Sequence, residues 1–231
     1  MTARTRRRRR RLGIALCAAL VAAQSAAAVE PGQVDDFEDG TTQGWRIGLQ
    51  APTPANVASG GPDGADDAYM LLLAHGSGGA ASRLVALNDG DWRGDYLGAG
   101  ITAIAMSVNN FGVTELALRV LFEEQPGGPG ADTTTAVSAE PVLLPPGSGW
   151  TSVIFPIEPA DLTPLLGSTE VALANTGALR IYHAPNASFP GPEISAELGI
   201  DDIRAVPEPA SAPLAAAALA AAAALARHRS A

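Results

Sequence analysis

Two aromatic and two basic residues stand out as able to do chemistry. Trp92 and Tyr96 lie in the acidic, glycine-rich run Asn88–Tyr96. Rings on a loop can stack on the apolar face of a sugar, or they can plug the end of a β-sandwich; both readings are open. Trp45 and Trp150 precede or begin alternating segments and are expected in the core. Arg119 and Arg180 each fall mid-strand on the polar face. They either balance charge on a solvated sheet or offer a surface to polar and acidic groups, with Ser107 and Asn109 adding hydrogen bonds.

Other constellations are excluded by what they lack. The Asn88 run is not a helix-loop-helix calcium loop, because Arg93 stands where an oxygen is required and no Glu closes the span at Gly100. Gly76-Ser77-Gly78-Gly79 lacks the Lys-Ser/Thr of a phosphate cradle. His75 and His183 are isolated, and no Gly-x-Ser-x-Gly elbow occurs. The single Cys, Cys17, rules out an internal disulfide or a cysteine zinc site. Among so many carboxylates, a pair at glycosidase spacing would arise by chance. An enzyme is therefore not expected.

Charge narrows the partners. All 15 basic residues are Arg, seven of them within Arg4–Arg11 and two, Arg227 and Arg229, at the far end. Between Val29 and Val206 six Arg face 23 Asp and Glu, a formal charge of −17. Such a domain repels phosphate backbones, so nucleic acid is excluded as its partner.

The elements that must position these residues are strands. Tyr69–Ala74, Ile101–Val108, Glu115–Phe122, Thr151–Ile157, Ala178–Tyr182 and Leu198–Val206 alternate or run apolar, with turn-rich stretches between. One short helical turn is expected near Pro159–Leu166, with Asp161 as its cap. Leu116, Leu118, Val120 and Phe122 should share an inward face, as should Ile104, Met106 and Val108. This pattern predicts one all-β sandwich or barrel over residues 29–206.

The ends read as addresses. Arg6–Arg11, the apolar stretch Leu12–Ala23 and the small residues Ser25–Ala28 follow the order of a cleaved signal peptide, residues 1–28. Twelve apolar residues make a helix of roughly 18 Å, short of the ~30 Å hydrocarbon core. At the other end, Pro207-Glu208-Pro209 precedes the apolar run Leu214–Ala226 and Arg227-His228-Arg229. Residues 207–231 resemble the PEP-CTERM sorting tail of Gram-negative bacteria. The resemblance implies processing by exosortase, a transient inner-membrane anchor, and association with exopolysaccharide and biofilm.

A second resemblance covers both ends of the domain. Val34-Asp35-Asp36-Phe37-Glu38-Asp39-Gly40-Thr41 with Gly44-Trp45 is similar to the first strand of galactose-binding-like jelly rolls and carbohydrate-binding modules. Leu198-Gly199-Ile200-Asp201-Asp202-Ile203-Arg204-Ala205 is similar to their last. The resemblance implies a jelly-roll β-sandwich whose first and last strands are neighbours. It also implies one structural calcium, held by Glu38 and Asp201 with Asp39 or Asp202 beside them; a hard cation would offset clustered carboxylates.

The combined expectation is a secreted surface or matrix protein, handled by export machinery, signal peptidase and an exosortase-type enzyme. Its non-catalytic domain binds extracellular polysaccharide through Trp92, Tyr96, Arg119 and Arg180. The alternatives are a structural spacer without a ligand, and a glycan-active hydrolase.

Overall fold

The computed structural model describes residues 28–47, 54–79, 81–124 and 133–209. The expected signal peptide, apart from Ala28, and the apolar and basic parts of the sorting tail lie outside them. Among the described residues no helix is long and apolar enough to cross a membrane.

Among the described residues twelve strands follow in chain order: β1 (Val34–Asp35), β2 (Ala55–Val57), β3 (Tyr69–His75), β4 (Val85–Asn88), β5 (Ile101–Asn110), β6 (Leu116–Glu123), β7 (Thr135–Ser138), β8 (Val142–Leu144), β9 (Thr151–Pro156), β10 (Leu162–Leu166), β11 (Ala178–His183) and β12 (Ser195–Pro207). They form two antiparallel sheets. The front sheet runs β2-β3-β12-β5-β9, with β1 also on β12; the back sheet runs β10-β7-β6-β11-β4, with β8 on β6. The architecture is the jelly-roll β-sandwich expected from the sequence.

The six long segments all appear, because each carries enough alternating positions to bury one face. Leu116, Leu118, Val120 and Phe122 point into the core opposite Ile104, Met106 and Val108. The first and last strands are neighbours: Val34 pairs with Arg204 and Asp35 with Ile203. β12 contains a register shift between Asp201 and Arg204, where Asp202 adopts φ +51°. This bulge adds a residue, so Leu198 and Ile200 before it and Ile203 and Ala205 after it all face the core. Pro207 is the last residue of β12.

The helical turn expected near Pro159–Leu166 forms, but over its first three residues only. Only a single 3-10 turn forms, at Pro159–Asp161, and the chain then extends as β10 against β7. Asp161 does act at that turn, accepting the Glu158 N–H. Pro164 removes a helix donor, and extended pairing replaces it. Among the described residues the one α-helix, α1, is Thr169–Ala174, capped by the Ser168 hydroxyl. The other short strands have too few residues to show a period.

The centre of the back sheet, β6 and β11, is covered on both sides. Leu121, Val137, Tyr182 and Ala184 form a second small apolar cluster. The chain after β11 makes this cover: the Tyr182 hydroxyl donates to Ser188 O, and the rings of Tyr182 and Phe189 meet edge to face.

Candidate functional site

Trp92 and Tyr96 are fully buried, at 0% exposure. The Trp92 indole donates to Asp35 at 2.6 Å, and the Tyr96 hydroxyl to Trp92 O at 2.7 Å. The Tyr96 ring stacks edge to face on Phe122. They plug the sandwich, and neither presents a ring to a sugar. Trp45 is a core residue, as expected, and shares the Asp35 carboxylate with Trp92.

Arg119 and Arg180 also take structural roles. They lie on the back sheet, while Ser107 and Asn109 lie on the front one, so the four form no common surface. The Arg119 guanidinium is enclosed by the carbonyls of Ser138, Ala139, Ala184 and Pro185. It ties β6 to the loops after β7 and β11. Burial lowers its pKa. Arg180 pairs with the nearly buried Glu123 and lies over the Phe189 ring at 5.2 Å. Alternation placed both residues away from the core, but loops cover that side.

The open aromatic surface is elsewhere, on the outer face of the front sheet. Gly199 of β12 sits between Leu71 of β3 and Asn109 of β5. A Cβ on Gly199 would meet the rings of Phe111 and Trp150 at 2.8 Å each. Tyr69 completes a trio, with ring centres 5.2 Å from Trp150 and 5.8 Å from Phe111, while Phe111 and Trp150 are 6.0 Å apart. A glycine within a strand allows such close approach, because it carries nothing to fill the space above the sheet.

Each ring is held by its own support. The Trp150 indole N–H donates to Gly60 O, in the turn between β2 and β3, at 2.9 Å. Phe111 follows Asn110, whose fully buried amide donates to the carbonyls of Thr114, Leu144 and Pro145 and accepts from Gly112 N–H. This amide fixes the loop that carries Phe111. Phe111 itself remains 40% exposed, beside exposed Leu73 and Val113. Trp150 is half-buried here, which corrects its expected place in the core.

The trio lies between two hollows. One, of about 560 Å³, is mostly apolar and lined by Leu73, Phe111, Val113 and Ala196, with His75 and Glu197. The other, of about 340 Å³, is polar, with Asp63, Ser107, Thr151, Ser152 and Asp202 beside Trp150. Burial, and secondarily Glu197, raises the Tyr69 pKa. Burial, with Asp63, Asp67 and Asp36 adding to it and Arg204 opposing, raises that of Asp202.

Of the expected metal ligands, Glu38 and Asp39 are exposed and Asp201 is buried. Asp201 is 2% exposed and accepts from Asp202 N–H. Burial, with Asp202, Asp67 and Glu38 adding to it, pushes its pKa up to about 7. Glu38 already accepts from Ala68 N–H at 2.7 Å. The Asp39 carboxylate takes the Thr41 N–H and hydroxyl, and the Asn56 amide donates to the carbonyls of Phe37 and Thr41. Among the described residues no group of three or more His, Cys, Asp or Glu side chains is arranged to hold a metal. As arranged, the acidic side chains fall short of the six to eight oxygens a calcium takes.

Sequence reasoning missed Tyr69, Phe111 and Trp150, which lie far apart in the chain. The available signal was Gly199, a glycine inside an otherwise apolar strand.

No protein-family model matches the chain, and no curated protein matches it by sequence. Among solved structures, an exo-β-agarase superposes with a TM-score of 0.51 at 12% identity, over 77% of this chain and 26% of that one. The N-terminal tandem of family 22 carbohydrate-binding modules from Paenibacillus barcinonensis Xyn10C gives 0.49 at 16% identity, over 81% and 48%. The family 11 carbohydrate-binding module from Clostridium thermocellum, in complex with a β-1,3-1,4-mixed-linked tetrasaccharide, gives 0.47 at 16% identity, over 78% and 97%. The likeness to the agarase is one of fold: this chain shares its two-sheet β-sandwich with part of that protein.

Proposed function

We propose that this domain binds polysaccharide without cleaving it, across the outer face of the front sheet. The carrying observation is the trio Tyr69, Phe111 and Trp150, gathered over Gly199 on an open face. Aromatic rings stack on the apolar faces of sugars, and neighbouring hydroxyls and carboxylates orient the sugar's own hydroxyls. The hollows on either side give a chain room to continue past the rings. The likeness to part of an exo-β-agarase supports a glycan as the ligand class.

The chain ends complete the proposal. Arg6–Arg11 with the following apolar run would direct export from a Gram-negative cell, with signal peptidase removing the leader. Pro207-Glu208-Pro209 and its tail would hold the protein briefly in the inner membrane for an exosortase-type enzyme. The mature protein would then act at the cell surface or in the extracellular matrix, on exopolysaccharide of a biofilm.

A structural calcium at Glu38 and Asp201 is favoured by one observation: negative charge accumulates around a buried carboxylate there. Backbone carbonyls and water would have to supply the remaining oxygens. An unchanged melting temperature in EDTA would remove the metal from this reading.

The test is affinity electrophoresis of the mature protein through the producing organism's exopolysaccharide, with calcium and with EDTA. Retardation that is lost in Trp150→Ala supports binding at this face. Free migration of the unaltered protein in both conditions would leave a structural spacer as the better reading.

A further inference from the structure

The polar pocket beside Trp150 has a chemistry that an aromatic ridge for neutral sugars does not need. Resting on the reading of this face as a glycan site, we infer that the pocket receives a protonated amino group. The domain then prefers polysaccharides containing de-N-acetylated amino sugars over neutral ones, and excludes those built of uronic acids.

Several observations converge on this ligand. Asp63 and Asp202 line the pocket with two carboxylates. The cation beside them, Arg204, is 3.9 Å from Asp202 with a half-exposed side chain, too loose a pair to neutralise the site. Ser107 also lines the pocket and is only 8% exposed, yet its hydroxyl has no hydrogen-bond partner among the described residues. The hydroxyl therefore opens onto the pocket, where it can accept a donor from a ligand. Trp150 forms one wall and offers a ring to a cation. An ammonium carries three N–H donors and no acceptor, which matches two carboxylates and a hydroxyl.

The arrangement also works against anions. Arg119 is spent on four carbonyls and Arg180 on Glu123, both on the other sheet. A uronate entering this pocket would meet Asp63 and Asp202 with its charge unpaired, a like-charge juxtaposition that discriminates strongly.

Calorimetric titration of the mature protein with four tetrasaccharides tests this: glucosamine, N-acetylglucosamine, glucose and galacturonic acid oligomers. Glucosamine should bind at least ~10-fold more tightly than glucose, and galacturonate should not bind. Asp63→Asn with Asp202→Asn should bring the glucosamine-to-glucose ratio close to one. Asn tolerates the left-handed backbone at position 202. If the double variant does not fold, Asp63→Asn alone serves, since its side chain makes no intramolecular hydrogen bond, and it should lower the ratio.

Glu30→Gln with Glu170→Gln makes the same charge change away from the pocket and should keep the wild-type ratio. An equal fall in that control would assign the preference to net charge and overturn the inference. Equal or tighter binding of glucose by the unaltered protein would also overturn it, while leaving the glycan-binding reading standing. Failure of all four to bind would overturn this inference and leave the glycan-binding reading to the electrophoresis above, while binding that survives Trp150→Ala would overturn both.

Discussion

The Trp150 indole lies directly above Gly199, so close that a single added methyl would meet its ring at 2.8 Å. The front sheet is thus shaped around an absent side chain. Gly199→Ala should push Trp150 and Phe111 off the sheet while the inner face of β12 stays packed. Polysaccharide retardation should fall severalfold or more, with stability reduced by only about 1–3 kcal/mol, as for overpacking. Gel retardation and urea denaturation on the same sample check both halves, and undiminished retardation would show that the trio is not the platform.

A second prediction concerns Asp35. One of its carboxylate oxygens accepts the indole N–H groups of both Trp45 and Trp92. Burial raises its pKa, and the two indoles partly oppose that. Asp35→Ala leaves two buried donors unsatisfied, at about 1–3 kcal/mol each. Asp35→Asn keeps an acceptor and should cost less. A loss below about 1 kcal/mol for the Ala variant, measured by denaturant unfolding, would contradict this account.

The third prediction is a pH dependence. Asp201 has a folded pKa of about 7 against an ordinary 3.8, so the folded state holds its proton more tightly than the unfolded state does. Its contribution favours folding at low pH and is lost as pH rises through about 4 to about 7. In EDTA, Asp201→Asn should therefore melt higher than the unaltered protein at pH 8, by ~2 °C or more, with the gap narrowing toward pH 5. A gap independent of pH would show that the group does not titrate in this window.

Arg119 supplies the fourth. Its guanidinium reaches four carbonyls from three directions, and a lysine ammonium cannot reproduce that planar fork. Arg119→Lys should cost about 2–4 kcal/mol through carbonyls left without partners. Polysaccharide retardation of the folded protein should not change, because Arg119 belongs to the opposite sheet. Loss of retardation with unchanged stability would return Arg119 to the binding surface.

Much of the frame was legible in the chain. The strands of β3, β5, β6, β9, β11 and β12 carry enough alternating residues for their period to stand out, and β1 was read beside β12. The strands that escaped, such as β4 and β8, have three or four residues, and a two-residue period cannot be recognised over so short a run. β10 was hidden by Pro164 and by its nearness to a real turn at Pro159–Asp161.

By itself, the sequence determined the β architecture, the acidity of the domain and the relative faces along each long strand, because burial on one side imposes alternation locally. It did not determine which of those faces would stay open. Arg119 and Ser107 both read as outward, yet the chain after β11 folds over Arg119's sheet, and only Ser107's sheet keeps an open face. For Trp92 the sequence left stacking and plugging both open, and the packed molecule decides for the plug; Trp150 at a strand start read as buried, and the packed molecule leaves it half-buried. Exposure belongs to the whole assembly. Loops distant in sequence decide what is covered, and residues 69, 111, 150 and 199 become one surface only when β3, β5, β9 and β12 lie side by side.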